Sequence, residues 1–117
     1  MGPDDVLDVG RSAALQDPTG THIAIWEAKK HIGAGILNQP GAMCWNELMT
    51  PDTAPAGRFY RATFDWASEQ VDMSAESTYT IFKAGTTQVG GMMARPRRWG
   101  NSAARCSGLS PSWRNGR

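Results

Sequence analysis

Apolar and polar positions alternate cleanly from Thr21 to Glu27. Ile23 and Ile25 share one face of a strand there; His22, Ala24 and Trp26 share the other. The residues before it, Arg11 to Gln16, read as a second strand. Asp17-Pro18-Thr19-Gly20 joins the two, because Asp bonds the backbone ahead, Pro fixes φ and Gly accepts a positive φ. Together they predict a hairpin. Residues 1–10 are weakly patterned, with Val6, Leu7 and Val9 starting an edge strand. Ala28 to Gly41 is polar, then glycine-bearing, and closes on Asn38-Gln39-Pro40-Gly41, so it reads as a linker.

A strand is predicted next, over Met43 to Met49. It sets Met43, Trp45, Glu47 and Met49 on one face and Cys44, Asn46 and Leu48 on the other. Asp52 or Thr53 caps the helix that follows, and Pro55 suits its first turn. Ala56, Phe59, Tyr60, Thr63 and Phe64 recur at the spacing of a buried helical stripe. Gly57 costs roughly 1 kcal/mol inside it. Ser77 to Lys83 is rich in β-branched and aromatic residues and reads as a strand. Ala84-Gly85-Thr86 turns it back into Thr87 to Met93, where Gly90 and Gly91 weaken the strand or admit a close approach. From Arg97 to Arg117 no periodicity survives.

The 117 residues suffice for one small domain. With 40% apolar residues the composition is that of a folded chain. No apolar run approaches the ~20 residues of a membrane span. The acidic N-terminus lacks the apolar stretch of a secretory signal. The two cysteines make no disulfide framework, so a reduced, cytoplasmic setting is expected. The net charge of +1 hides a split: all eleven acidic residues lie within residues 1–76, whereas 77–117 holds seven basic residues. Two readings of the basic tail stand. It is a disordered or out-of-frame stretch, the preferred reading, or a basic arm for nucleic acid.

The order of these pieces resembles the vicinal oxygen chelate superfamily, the glyoxalase, bleomycin-resistance and dioxygenase proteins. The resemblance rests on Asp17-Pro18-Thr19-Gly20 leading into a strand, on Gly41-Ala42-Met43-Cys44-Trp45-Asn46-Glu47-Leu48, on Phe59-Tyr60 through Phe64 and Trp66, and on Gly91-Met92-Met93. It is closest to two-module actinobacterial-type members and implies an α+β fold. Residues 1–27 would be the terminal hairpin of a first βαβββ module and 28–41 a linker. Residues 42–96 would be an incomplete second module of strand, helix, strand and strand, lacking its closing strand. The tail, 97–117, would stand in that strand's place, as in a truncated chain.

The same resemblance implies a small organic ligand held in a β-cup. In metal-dependent members the ligands sit on the first and last strands of each module. Those positions fall here on Trp45 and Ala24, neither of which binds a divalent cation. No metal and no other cofactor is therefore expected in the visible half-site. The pocket candidates are His22, Ala24, Trp26, Met43, Trp45, Glu47 and Met49. Glu47 is the candidate catalytic residue, a general base or a ligand's hydrogen-bond acceptor; the competing reading is a rim carboxylate paired with arginine or water. His22 with Trp26 suits a planar ligand, or ordinary packing between strands. His22, His31 and Cys44 could be written as a zinc set, but no closely spaced pair supports one.

Three functions follow. The first is a glyoxalase-like protein that binds or transforms a small molecule; a catalytic version would be a lyase, isomerase or dioxygenase of this superfamily. The second is a non-enzymatic sequestering module of the resistance type. The third, least favoured, is a nucleic-acid binder working through the tail. Open sheet edges predict self-association, as a dimer or aggregate.

Overall fold

The computed structural model describes residues 2–75 and 77–96, together with the backbone of Arg105 and Cys106. The hairpin forms as patterned. β2 (Gly10–Gln16) pairs antiparallel with β3 (His22–Ala28), and β1 (Asp4–Val6) adds to the outer side of β2. Gly20 closes the turn at φ +91°, a conformation that disfavours any side chain. Asp5 holds this sheet's edge together through Lys29 at 2.8 Å and Arg11 at 3.4 Å.

The second sheet runs in the order β5-β6-β7-β4-β8. Its strands are β4 (Glu47–Thr50), β5 (Ala67–Ser74), β6 (Ser77–Ala84), β7 (Thr87–Ala94) and β8 (Arg105–Cys106). β4 and β7 pair in parallel, because α1 (Thr53–Phe64) carries the chain across after β4; the other pairs are antiparallel. Asp52 caps α1, accepting from the Ala54 amide at 3.3 Å, and Asp65 ends it in the left-handed region.

The buried stripe of α1 is narrower than its spacing predicts. Ala56, Gly57 and Tyr60 are buried and Phe59 and Phe64 half-buried, while Thr63 is exposed. Gly57 belongs to the stripe because a Cβ there would sit 3.4 Å from Met92 Cε, so the helix lies close on β7. Ala56, Tyr60, Phe82 and Met92 form the core, with Ile23, Leu48, Phe59, Phe64, Trp66 and Val89 packed around it. Phe64 and Trp66 stack at 4.7 Å between centroids, and both reach Tyr60.

The structure differs from expectation in three places. β4, α1, β5, β6 and β7 run strand, helix, strand, strand, strand, so this stretch holds one strand more than expected. β5 escapes the hydrophobic pattern because it is an edge strand exposed on both faces, so no alternation marks it. The first strand of the module begins at Glu47, not Met43. The Met43 carbonyl instead accepts from the Asn38 amide at 3.0 Å, which folds Met43 into the preceding loop. Within the tail, Arg105 and Cys106 pair with Met49 and Leu48 as β8. The readings of the remainder of 97–117 as disordered, out-of-frame or nucleic-acid-binding lie outside the described residues.

Candidate functional site

The site is built at the junction of the two sheets, and Asp17 fixes that junction. Its Oδ1 accepts from the Thr19 amide at 2.8 Å, the Thr19 hydroxyl at 2.8 Å and the Thr21 amide at 3.0 Å. Its Oδ2 accepts from the Tyr60 hydroxyl at 2.8 Å. Burial pushes the carboxyl's pKa up, but these donors outweigh it and hold the group below its ordinary value. The turn residue thus ties the hairpin to α1 and keeps the start of β3 beside β4 and β7.

A cavity of about 310 Å³ opens there. Thr21 to Ala24 form one wall and Asn46 to Leu48 another. Tyr60, Trp66 and Phe82 supply an aromatic side, and Val89 to Gly91 of β7 complete it. Apolar walls with few polar groups suit a compact organic ligand. Thr21 Oγ1 is buried at this wall and, among the described residues, has no hydrogen-bond partner. A polar group left so is unusual in a folded protein.

Glu47 is the one carboxylate in the lining among the described residues. It lies opposite Gly91 in the parallel ladder, and Gly91 lies opposite Ile81 on the far side. Tyr79, two residues before Ile81 on the same face, leans across the missing side chain of Gly91. Its hydroxyl accepts from Trp45 Nε1 at 2.7 Å. Burial, and then the negative charge of Glu47, push the phenol's pKa up to about 12 despite the Trp45 donor.

Of the candidates from sequence, His22, Ala24 and Glu47 line the cavity. Trp26, Met43, Trp45 and Met49 are not among its lining residues. Trp26 lies over Gly10, where a Cβ would come within 2.0 Å of the indole, and its Nε1 donates to the His31 carbonyl at 2.8 Å. Packing on its own sheet thus withdraws it. Met43 is held in the loop and exposed. Trp45 donates its Nε1–H to the Tyr79 hydroxyl instead. His31, within the linker stretch, is exposed but edge-on to Trp26. Pattern reading missed Trp66, Phe82 and Tyr79, and took Tyr60 as core alone; the pair Gly90-Gly91 was the available signal for Tyr79. Among the described residues no three His, Cys, Asp or Glu side chains come together as a metal site. The cavity's imidazole and single carboxylate do not make a metal-binding set, and no chemistry is derived through a metal here.

The "Putative glyoxylase CFP32" of Mycobacterium tuberculosis is 40% identical over 94 residues, covering 79% of this chain and 35% of that protein. The similarity is to glyoxylase-like proteins. The "Anthracycline biosynthesis protein DauV" of Streptomyces sp. (strain C5) is 43% identical over 67 residues, 57% of this chain and 24% of that protein. The "Anthracycline biosynthesis protein DnrV" of Streptomyces peucetius is 35% identical over 91 residues, 78% of this chain and 33% of that protein. The chain spans about a third of the length of the first of these relatives. No family model matches it. The mixed α+β architecture is consistent with a glyoxalase-like fold. Among the described residues no helix is long and apolar enough to cross a membrane.

Proposed function

We propose that this chain is part of a vicinal oxygen chelate type protein that binds or transforms a compact organic molecule in the cavity between the hairpin and the second sheet. The observation that carries the reading is the cavity itself: aromatic on one side, with Glu47 among its lining residues. On this reading residues 1–27 close one βαβββ unit, 28–41 link, and 42–96 form the next. Ligand binding here uses no protein-held metal. The exposed edge strand β5, with Val71 and Met73 uncovered, offers a surface for self-association in the cytoplasm, which a sizing column at low micromolar concentration reads.

The test is saturable binding of a two-ring aromatic probe, 2-naphthol, followed by calorimetry. Ala24→Trp fills the cavity from an exposed strand position, so it removes binding while the melting transition stays. The absence of saturable binding to the unaltered chain would overturn the reading. Turnover of the methylglyoxal–glutathione hemithioacetal separates transformation from sequestration. Sequestration is favoured by the lining, where His22, Glu47 and Tyr60 are the titratable side chains among the described residues.

A further inference from the structure

Asp17 uses its two oxygens differently. Oδ1 serves its own turn, accepting from the Thr19 amide and hydroxyl and from the Thr21 amide. A side chain that shapes its own turn needs no more than that oxygen. Yet the residue is buried, with 4% exposure, and Oδ2 accepts from the Tyr60 hydroxyl at 2.8 Å, 43 residues along the chain. Taking a carboxylate out of water is costly unless its oxygens are bonded. The turn alone does not account for that burial.

The two residues joined in this way both line the cavity, and Asp17 does not. Thr21 begins one wall. Asp17 holds it twice: the Thr21 amide donates to Oδ1 at 3.0 Å, and the Thr21 carbonyl accepts from the Asp17 amide at 2.9 Å. Tyr60 stands on the aromatic side, stacked on Trp66 at 6.4 Å between centroids and tilted on Phe82 at 5.9 Å. One buried carboxylate therefore spans the seam between hairpin and helix and ties one wall to the other. Ile23 also packs against the core from the hairpin. That contact is apolar and non-directional, so it tolerates sliding. A hydrogen bond of 2.8 Å sets both a distance and an angle.

We propose that Asp17 is a positioning residue for the ligand: by holding the Tyr60 ring against the start of β3 it sets the spacing between the hairpin wall and the aromatic side, and ligand affinity depends on that bond although Asp17 lies outside the lining. This role rests on the reading of the cavity as a ligand site. A planar ring that touches both walls loses contact when the gap widens, because dispersion fades within about an ångström of added separation. Walls already held at the bound spacing need less ordering when the ligand enters.

The experiment titrates the full chain and its variants with 2-naphthol by calorimetry, well below every melting transition. Tyr60→Phe keeps the ring and cuts the bond, and the expected affinity is about fivefold lower. Asp17→Asn has one acceptor oxygen where the carboxylate has two, and lowers affinity by a similar factor. The double variant binds no more weakly than either single one, since one bond underlies both effects. Asp52→Ala removes the cap of α1, a loss of stability outside the lining, and leaves naphthol affinity unchanged. Should Asp17→Asn not fold, Tyr60→Phe and Asp52→Ala still decide the matter. Undiminished affinity in Tyr60→Phe or in Asp17→Asn overturns the inference and leaves the ligand cavity standing. So do additive losses in the double variant, or a loss in Asp52→Ala equal to that in Tyr60→Phe, since affinity would then merely follow stability. If naphthol does not bind the unaltered chain, the cavity reading fails, and the role of Asp17 fails with it.

Discussion

The hydroxyl of Tyr79 stands 1.9 Å from the point that a Cβ on residue 91 would occupy. Nothing larger than glycine fits between this ring and β7, so the relation is steric before it is chemical. Gly91→Ala must expel the ring and break its bond to Trp45. The expected cost is about 1–3 kcal/mol, as for other overpacked sites. In a Tyr79→Ala background the same change should cost little, since the clash is gone. Denaturant melts of the four chains give the coupling; additive effects would show that the two residues do not meet.

A second joint, between the Tyr60 hydroxyl and Asp17, holds the hairpin on α1 at 2.8 Å. Tyr60→Phe leaves the buried carboxylate short of one donor and should cost on the order of 1–3 kcal/mol. Burial raises the Asp17 pKa, but the bonds from Thr19, Tyr60 and Thr21 bring it below the ordinary 3.8. A depressed folded-state value means that this stability is present above pH ~4 and is lost as pH falls through the folded pKa. Urea midpoints measured between pH 2 and 5 should fall steeply in the unaltered chain. In Asp17→Asn the slope over that range should be smaller, and an unchanged slope would rule out this role for Asp17.

The parts of the fold with local chemistry were legible in the sequence. Asp17-Pro18-Thr19-Gly20 and the alternation after it specify β2 and β3, and the 3.6-residue spacing around Tyr60 specifies α1 with its Asp52 cap. β5 was not legible, because a strand exposed on both faces has no reason to alternate. In the site, alternation set His22 and Ala24 on the cavity side together with Trp26. It could not show that Trp26, farther along β3, lies over Gly10 instead. Tyr79 depends on a contact across β7 between residues twelve apart, and only the glycine pair hinted that something must pass there.

The phenol of Tyr79 should titrate late. Burial, then the Glu47 charge, moves its pKa to about 12. A raised folded-state value for an acid means that the phenol stays neutral in the folded chain while the unfolded chain ionises near pH 10. Stability from this group is therefore intact below pH ~10 and is lost between there and 12. Absorbance at the phenolate band should show a transition near 12. Glu47→Gln should bring it down, and Trp45→Phe should push it further up, because the indole donor favours the phenolate. A transition at the ordinary value in the unaltered chain would remove Glu47 from contact with Tyr79.

Gly57 sits inside α1 against Met92, and its effect on stability depends on which of two terms is larger. Glycine in a helix interior loses roughly 0.5–1 kcal/mol relative to alanine through backbone entropy. Against that, a Cβ at 57 would lie 3.4 Å from Met92 Cε, an ordinary contact, and 3.2 Å from Arg61 Nη1, which is tight. The tight neighbour is the far end of a long, exposed side chain whose other contact is Ser68 Oγ at 3.2 Å. A guanidinium on a solvent-facing stem can shift by a few tenths of an ångström at little cost, so the entropy term should win. Gly57→Ala is expected to stabilise the chain by up to about 1 kcal/mol in a urea melt, with the hydrogen bonds of Tyr79 and Asp17 untouched. A loss of stability would mean that the helix cannot yield at Met92, and that α1 lies on β7 with no room for a single methyl group.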